Sequence, residues 1–309
     1  MRFILIICLA LRAFGQDFDC VFVGTSPVSL FEALYRYESG QSVLILEESD
    51  VCGGAWKSIE ICGVPRVDMG CHEIGPSPET ISFLEEYGGC KIVEEKGGKY
   101  FSRGCFELID NLLQKIQKTD IALLTNTKLK SVFLDFDSKR AILKTPNGSF
   151  TAAKIVVTPG SSIRIENAPN ALAPERSRGT TFFHLYLLIQ DPSPHKFTYF
   201  RSLTPGSWRM MNMTPFLDLG KTGRQLIAFQ THGEKDAAYA ETLLEDLKQS
   251  DLVDKSAYLL QVEPYVYEQY PHFSLNKLAP EQKEFFDMLD TSHFNMIGTY
   301  APRWKQLLK

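Results

Sequence analysis

Val21-Phe22-Val23-Gly24-Thr25-Ser26-Pro27-Val28-Ser29-Leu30 is the stretch on which the reading of the fold turns. The apolar residues up to Val23 form a short buried strand that a glycine closes. Pro27 then suits the first position of a helix. Leu30, Ala33, Leu34 and Tyr37 follow at the spacing of one apolar helix face, before Gly40 ends it. A second apolar run at 43–46 leads into Glu47. This order predicts a parallel βαβ unit whose helix N-terminus presents unpaired amides and the positive end of its dipole.

Such a turn holds a dinucleotide pyrophosphate when it carries three glycines, and an acid about twenty residues further on accepts hydrogen bonds from the ribose. Gly24 keeps the first glycine. Ser26 stands at the second place, where a side chain crowds the phosphates, and Ser29 at the third, where it crowds helix against strand. Glu47 takes the place of the acid, with Glu48 beside it. Gly53-Gly54 is a further glycine pair that lets backbone amides approach a phosphate closely. An ordinary βαβ unit without a nucleotide is the other reading of the same residues.

The chain has 309 residues, 44% hydrophobic and 23% charged, enough for a substantial core in one large or two interleaved domains. A net charge of −4 leaves no electrostatic footprint for nucleic acid. Met1-Arg2, an apolar run over 3–11 and small residues at Ala13 and Gly15 read as a signal peptide over 1–15, which places the protein outside the cytoplasm, secreted or in a secretory lumen. No other segment approaches the roughly 20 apolar residues of a membrane helix. Of seven cysteines, Cys8 lies in the leader, leaving Cys20, Cys52, Cys62, Cys71, Cys90 and Cys105. An oxidising compartment permits disulfides, with Cys62–Cys71 and Cys90–Cys105 as candidate pairs, while Cys20 reads as a small core residue. No spacing supports zinc. Asn147-Gly-Ser and Asn212-Met-Thr are glycosylation acceptors in a eukaryotic secretory route.

Further along, helices are expected at 78–87, 106–116 and 237–248, with Leu108, Leu112 and Ile116 on one face of the second. Runs at 130–136 and 140–144 read as a β-hairpin around Asp137-Ser138, 155–157 as a buried strand and 295–298 as a last short one. Residues 181–232, rich in β-branched and aromatic types, read as an antiparallel sheet in a separate lobe.

Set in order, these pieces resemble the flavin-dependent amine oxidase and protoporphyrinogen-oxidase-like superfamily and its relative UDP-galactopyranose mutase. The likeness rests on the Gly24 turn, the strand into Glu47 followed by Gly53-Gly54, and Asp68-Met69-Gly70-Cys71-His72 beside the flavin. It continues through a glycine-led helix after Phe101, the strand near Leu129 whose backbone meets adenine, and the segments ending at Gly160 and Gly298. The chain departs from the pattern at Ala55-Trp56, where the family often carries a basic residue. It departs again after Gly298, where Thr299 to Trp304 stand in place of a flavin-holding helix.

The resemblance implies an α/β fold: an FAD-binding Rossmann-like domain with a parallel sheet at 16–75, 101–165 and 290–309. An interleaved α+β substrate lobe with an antiparallel sheet takes 76–100 and 166–289. It implies FAD as cofactor, held by Gly24, Ser26, Pro27, Ser29, Glu47, Glu48, Gly53, Gly54, Ala55, Trp56, Asp68, Gly70, His72, Leu129, Gly160 and Gly298, and oxidation of a small-molecule substrate. His72 and Glu73 are the titratable residues it places near the ring. Tyr199, Arg201, Trp208 and Arg209 are candidate pocket residues, and basic groups there suit an acidic substrate. No nucleophile elbow and no HExxH occurs. A catalytically inactive relative that uses the scaffold for binding, and a mutase-like enzyme working with reduced flavin, remain as alternatives.

Overall fold

The computed structural model describes residues 17–70, 72–74, 77–95, 98–158, 163–167, 180–193, 196–201, 207–217, 219–269, 280–283 and 286–288. The leader, Cys71, Gly160, the strand expected at 295–298 with Gly298, and the residues after it lie outside them.

In chain order the described elements are β1 (Asp17–Val23), α1 (Pro27–Glu38), β2 (Val43–Leu46), β3 (Ser58–Ile61), β4 (Val64–Asp68), α2 (Pro78–Glu86), β5 (Ile92–Glu95) and β6 (Gly98–Phe101). Then come α3 (Cys105–Ile116), β7 (Ala122–Leu124), β8 (Ser131–Asp135), β9 (Arg140–Thr145), β10 (Gly148–Val157) and β11 (Thr180–Gln190). The last are β12 (Tyr199–Arg201), β13 (Ser207–Asn212), β14 (Arg224–Thr231), α4 (Ala237–Gln249), β15 (Tyr258–Gln269), α5 (Pro280–Lys283) and β16 (Phe286–Met288). The chain divides into two compact units, one of residues 1–55, 109–179 and 270–309, the other of 56–108 and 180–269.

The first unit is built on a sheet of order β7-β2-β1-β10-β9-β8, with β16 also paired to β10. β1 pairs in parallel with both β2 and β10, and is buried on both faces from Cys20 onward, which is why its sequence is a continuous apolar run rather than an alternation. β8, β9 and β10 form an antiparallel meander, so the sheet is mixed. Val21, Leu44, Leu143, Phe150 and Ile155 meet in its core. Helix α1 starts at Pro27 as expected. Its first two turns are buried, and Ser39 ends it before Gly40.

The second unit carries an antiparallel sheet of order β12-β13-β14-β11-β15 and two hairpins, β3–β4 and β5–β6. Side chains alternate across its strands. Leu185, Leu187, Ile189, Ile227 and Phe229 pack on Ala240, Leu243, Leu244 and Leu247 of α4. Tyr186, Leu188, Met211, Leu226 and Ala228 face the other way, onto Ile61, Val64, Val67 and Tyr100. Leu108, Leu112 and Ile116 of α3 are all buried, as their spacing predicts. Among the described residues no helix is long and apolar enough to cross a membrane.

Phe150 is fully buried in the core of the first unit. Phe150→Ala is expected to lower stability by about 3–5 kcal/mol, because the site loses a large ring and keeps most of the void. Urea unfolding read by circular dichroism measures it, and a loss under about 1 kcal/mol would show that the sheet collapses onto the gap.

Candidate functional site

In the first unit the turn after β1 is held by a threonine. The Thr25 hydroxyl donates to Glu47 Oε2 at 2.5 Å and accepts from the Gly53 amide at 2.9 Å, all three groups being buried. Glu47 Oε1 takes the Ser49 amide at 2.8 Å. The backbone joins in, since Gly24 N donates to Leu46 O and Thr127 N to Glu47 O. One hydroxyl therefore ties the Gly24 turn to the acid and to the glycine pair.

Ser26 is the N-cap of α1. Its hydroxyl accepts from the Ser29 amide at 3.3 Å and lies 3.1 Å from the Ser29 hydroxyl. The two side chains expected to crowd the turn thus hydrogen-bond to each other. With Ser29 N capped and Leu30 N bonded to Ser26 O, the backbone amides of Thr25, Ser26 and Val28 donate to no acceptor among the described residues. Pro27 has no amide to offer. Three open donors in buried residues at a positive helix end form a cradle for an anion. Gly24 (φ 97), Gly53 (φ 121) and Gly54 (φ 59) carry the positive φ that the turn and the glycine pair need. A carboxylate has about four acceptor sites. Glu47 uses two of them on protein groups, so the donor and acceptor set fits a diphosphate and a ribose.

The other positions fall around this cradle in different ways. Glu48 is exposed and pairs with Lys128 at 2.5 Å. Leu129 is buried, in the connection between β7 and β8 rather than in the strand expected there. Gly54 and Ala55 lie in a 3-10 turn that ends at Trp56.

In the second unit Asp68, Gly70, His72 and Trp56 come together with residues the sequence does not single out. The Asp68 carboxylate accepts from Ser58 Oγ at 2.6 Å and from the Cys105 amide at 2.8 Å, so it caps the start of α3. Burial pushes its carboxyl above the usual carboxylate value, against the pull of those two donors. Tyr186 OH bridges the Asp68 carbonyl and the Gly70 amide, at 3.1 and 3.0 Å. Gly70 has φ 94, and a Cβ there would stand 3.2 Å from His184 Cε1, so only glycine suits the position. His72 Nε2 lies 2.6 Å from Met69 O and donates to it, since a carbonyl only accepts. Trp56 stacks on His72 with centroids 4.3 Å apart. Glu73 is exposed. Of the four pocket candidates, Tyr199, Arg201 and Arg209 lie at paired positions of the β12–β13 hairpin and Trp208 in β13 beside them.

His184 is the residue sequence reading missed. It is 2% exposed, and burial, with the charge of Arg209, brings its pKa down to about 3.

Two expectations are corrected. The Cys90–Cys105 disulfide is not formed, and the five described cysteines, Cys20, Cys52, Cys62, Cys90 and Cys105, are buried and unbridged. Cys90 Sγ donates to Gly88 O within its own turn, and the Cys105 thiol is engaged with Asp68. Cys62 is likewise unbridged, its thiol pushed up to about 12 by burial, and Cys71 lies outside the described residues. Asn212 cannot be glycosylated in the fold, because it is fully buried and bonded to Gln225 and Thr214. Asn147 is exposed. Among the described residues no cluster of three or more His, Cys, Asp or Glu could hold a metal ion.

No protein-family model and no curated protein matches the chain. Solved structures do. A reduced UDP-galactopyranose mutase is similar at a TM-score of 0.64 and 12% identity, over 94% of this chain and 96% of that one. An oxidoreductase from Methanosarcina mazei is similar at 0.63 and 12%, over 90% and 95%. A glycine oxidase from Geobacillus kaustophilus is similar at 0.57 and 14%, over 95% and 94%. These likenesses establish the fold as the Rossmann-like, amine-oxidase-like architecture to which the sequence motifs point.

The depressed pKa of His184 has a consequence for stability. An unfolded histidine takes up a proton below about pH 6.5, whereas the folded one stays neutral to about 3, so the unfolded state binds more protons in that window. Stability is therefore expected to fall as pH drops from about 6.5 towards 3. The His184→Phe variant should lose that part of the slope, and unfolding free energies of both proteins between pH 7 and about 4 test it.

Proposed function

We propose that the chain is an FAD-dependent oxidoreductase acting on a small molecule, and that it works in an extracytoplasmic compartment. The three open amides of Thr25, Ser26 and Val28, at the head of α1 and beside the Thr25–Glu47 bond, carry this reading. In it these amides and the helix dipole bind the diphosphate, Glu47 orients the adenosine ribose, and Gly53 and Gly54 let the backbone come close. FAD, when bound, supplies the hydride-accepting chemistry. The protein's part in the second unit is His72, whose Nε2 donates to Met69 O, and His184, held neutral by burial. The likeness to solved oxidoreductases supports the reading at the level of fold. The leader-like pattern at 1–15 supports the compartment.

The full chain, purified and equilibrated with FAD, is expected to retain a flavin absorbance near about 450 nm after desalting. Ser26→Asp keeps an N-cap and sets a negative charge where the diphosphate belongs, so it should weaken FAD binding by about ten-fold or more without loss of fold. A folded wild-type chain that stays colourless in excess FAD would sink the oxidoreductase reading and favour the cofactor-free scaffold.

A further inference from the structure

Strand β11 sends Leu185, Leu187 and Ile189 to the face covered by α4, and His184 and Tyr186 to the other. On that other face the composition changes abruptly along the strand. At the level of Tyr186 its neighbours on β14 and β13 are apolar, Ala228 and Met211, while on β15 it pairs with Glu263, whose carboxylate accepts from the Cys62 amide. One step along, Arg209 of β13 pairs with Gln230 of β14, Gln230 with His184, and His184 with Tyr265 of β15. Paired residues on neighbouring strands share a face, so these four form one transverse row across four strands.

The two central residues of the row are buried but not satisfied. His184 is 2% exposed and Gln230 fully buried, yet both ring nitrogens of His184 and the Nε2 of Gln230 have no hydrogen-bond partner among the described residues. Native interiors rarely leave such atoms unpaired, and three on adjacent positions mark a place where something else belongs. Gln230 Oε1 accepts from Arg209 Nε, which leaves the two N–H donors of its amide for another acceptor. His184 is also fixed, lying against Tyr267 at 5.5 Å and Tyr186 at 6.2 Å between ring centroids, with Gly70 at its edge.

The missing partner can be described by what the row offers. The imidazole is neutral, giving one donor and one acceptor, the glutamine amide gives donors only, and the guanidinium adds one permanent positive charge. Donors outnumber acceptors, so the ligand group is an acceptor. A single positive charge matches a single negative one better than the double charge of a phosphate. The flanking aromatic rings suit a flat apolar body behind that group. We infer that Arg209, Gln230 and His184 of this row bind the carboxylate of a small, aromatic or otherwise planar organic acid. The inference rests on the proposed oxidoreductase activity only in making that acid the substrate, since binding to the row requires no flavin.

Sodium benzoate is the probe. The full chain, prepared without flavin, is titrated with benzoate by calorimetry, with benzylamine and inorganic phosphate as comparisons. Benzoate should bind and the other two should not. Arg209 is only half-buried, so Arg209→Gln should fold and should weaken benzoate by about ten-fold or more. Nitrogen-15 NMR gives a second measurement: benzoate should shift the His184 ring resonances and raise the pKa of that imidazole in the wild type. The inference is overturned if benzoate fails to bind, if benzylamine or phosphate binds as tightly, if Arg209→Gln leaves the affinity unchanged, or if the His184 resonances do not move. A chain that takes up FAD but not benzoate sinks this inference alone. One that binds benzoate but not FAD sinks only the oxidoreductase reading.

Discussion

The hydroxyl of Thr25 is the point on which the first unit's site depends. A hydroxyl has one proton and two lone pairs. Here the proton goes to a carboxylate and a lone pair to the Gly53 amide. The bond to Glu47 is charge-assisted and buried, the circumstances in which a hydrogen bond is strongest and its loss most costly. It joins three segments that are otherwise separate in sequence: the turn after β1, the end of β2 and the glycine pair. Glu47 is further fixed by the Ser49 amide and, through its carbonyl, by Thr127. A carboxylate held on so many sides is oriented before any ligand arrives, which spares the ligand the entropy of ordering it.

The two serines of the turn take their meaning from the same geometry. Glycine at the second and third fingerprint positions works by omission, leaving room for phosphate and for close helix packing. Ser26 and Ser29 reach a related result by pairing with each other. Ser26 caps the Ser29 amide and the two hydroxyls bond to each other, while the amides of Thr25, Ser26 and Val28 stay open among the described residues. What the turn needs from its backbone is preserved at Gly24, whose φ of 97 an ordinary side chain would strain. The departure from the glycine pattern is therefore a change of side chain over an unchanged frame.

That frame was legible in the sequence because each of its signals is local. Apolar runs without alternation mark β1 and β2, Pro27 marks the helix start, and Gly40 marks its end. What depends on distant partners was not. β15 contains Pro264 and reads poorly as a strand, yet it lies at the edge of its sheet, where a missing amide is tolerated. Cys90 and Cys105 look like a pair by count, but each thiol has its own neighbour, Gly88 and Asp68. Asn212 looks like a surface acceptor, but its side chain bridges Gln225 and Thr214 inside the second unit. The Asp68 segment was found by its order in the chain, while the tyrosine that holds it comes from 118 residues away.

His184 and Gln230 were missed for the opposite reason, since they obey the local rule and break the tertiary one. On an alternating strand a polar residue between apolar ones reads as facing water. In β11 and β14 both faces are covered, one by α4 and the other by the cluster around Tyr186 and Tyr100. The polar residues therefore point into the interior. A sequence that spends inward positions on unpaired polar groups loses stability there, and sites of that kind are where local and global demands diverge for function. Tyr186 links this row to the rest of the second unit. It stands two residues from His184 on the same face, and its hydroxyl clamps the Asp68–Gly70 turn. Gly70, so placed, meets the imidazole edge with no side chain to spare, and the ring is held in position by a residue that contributes only its absence of bulk.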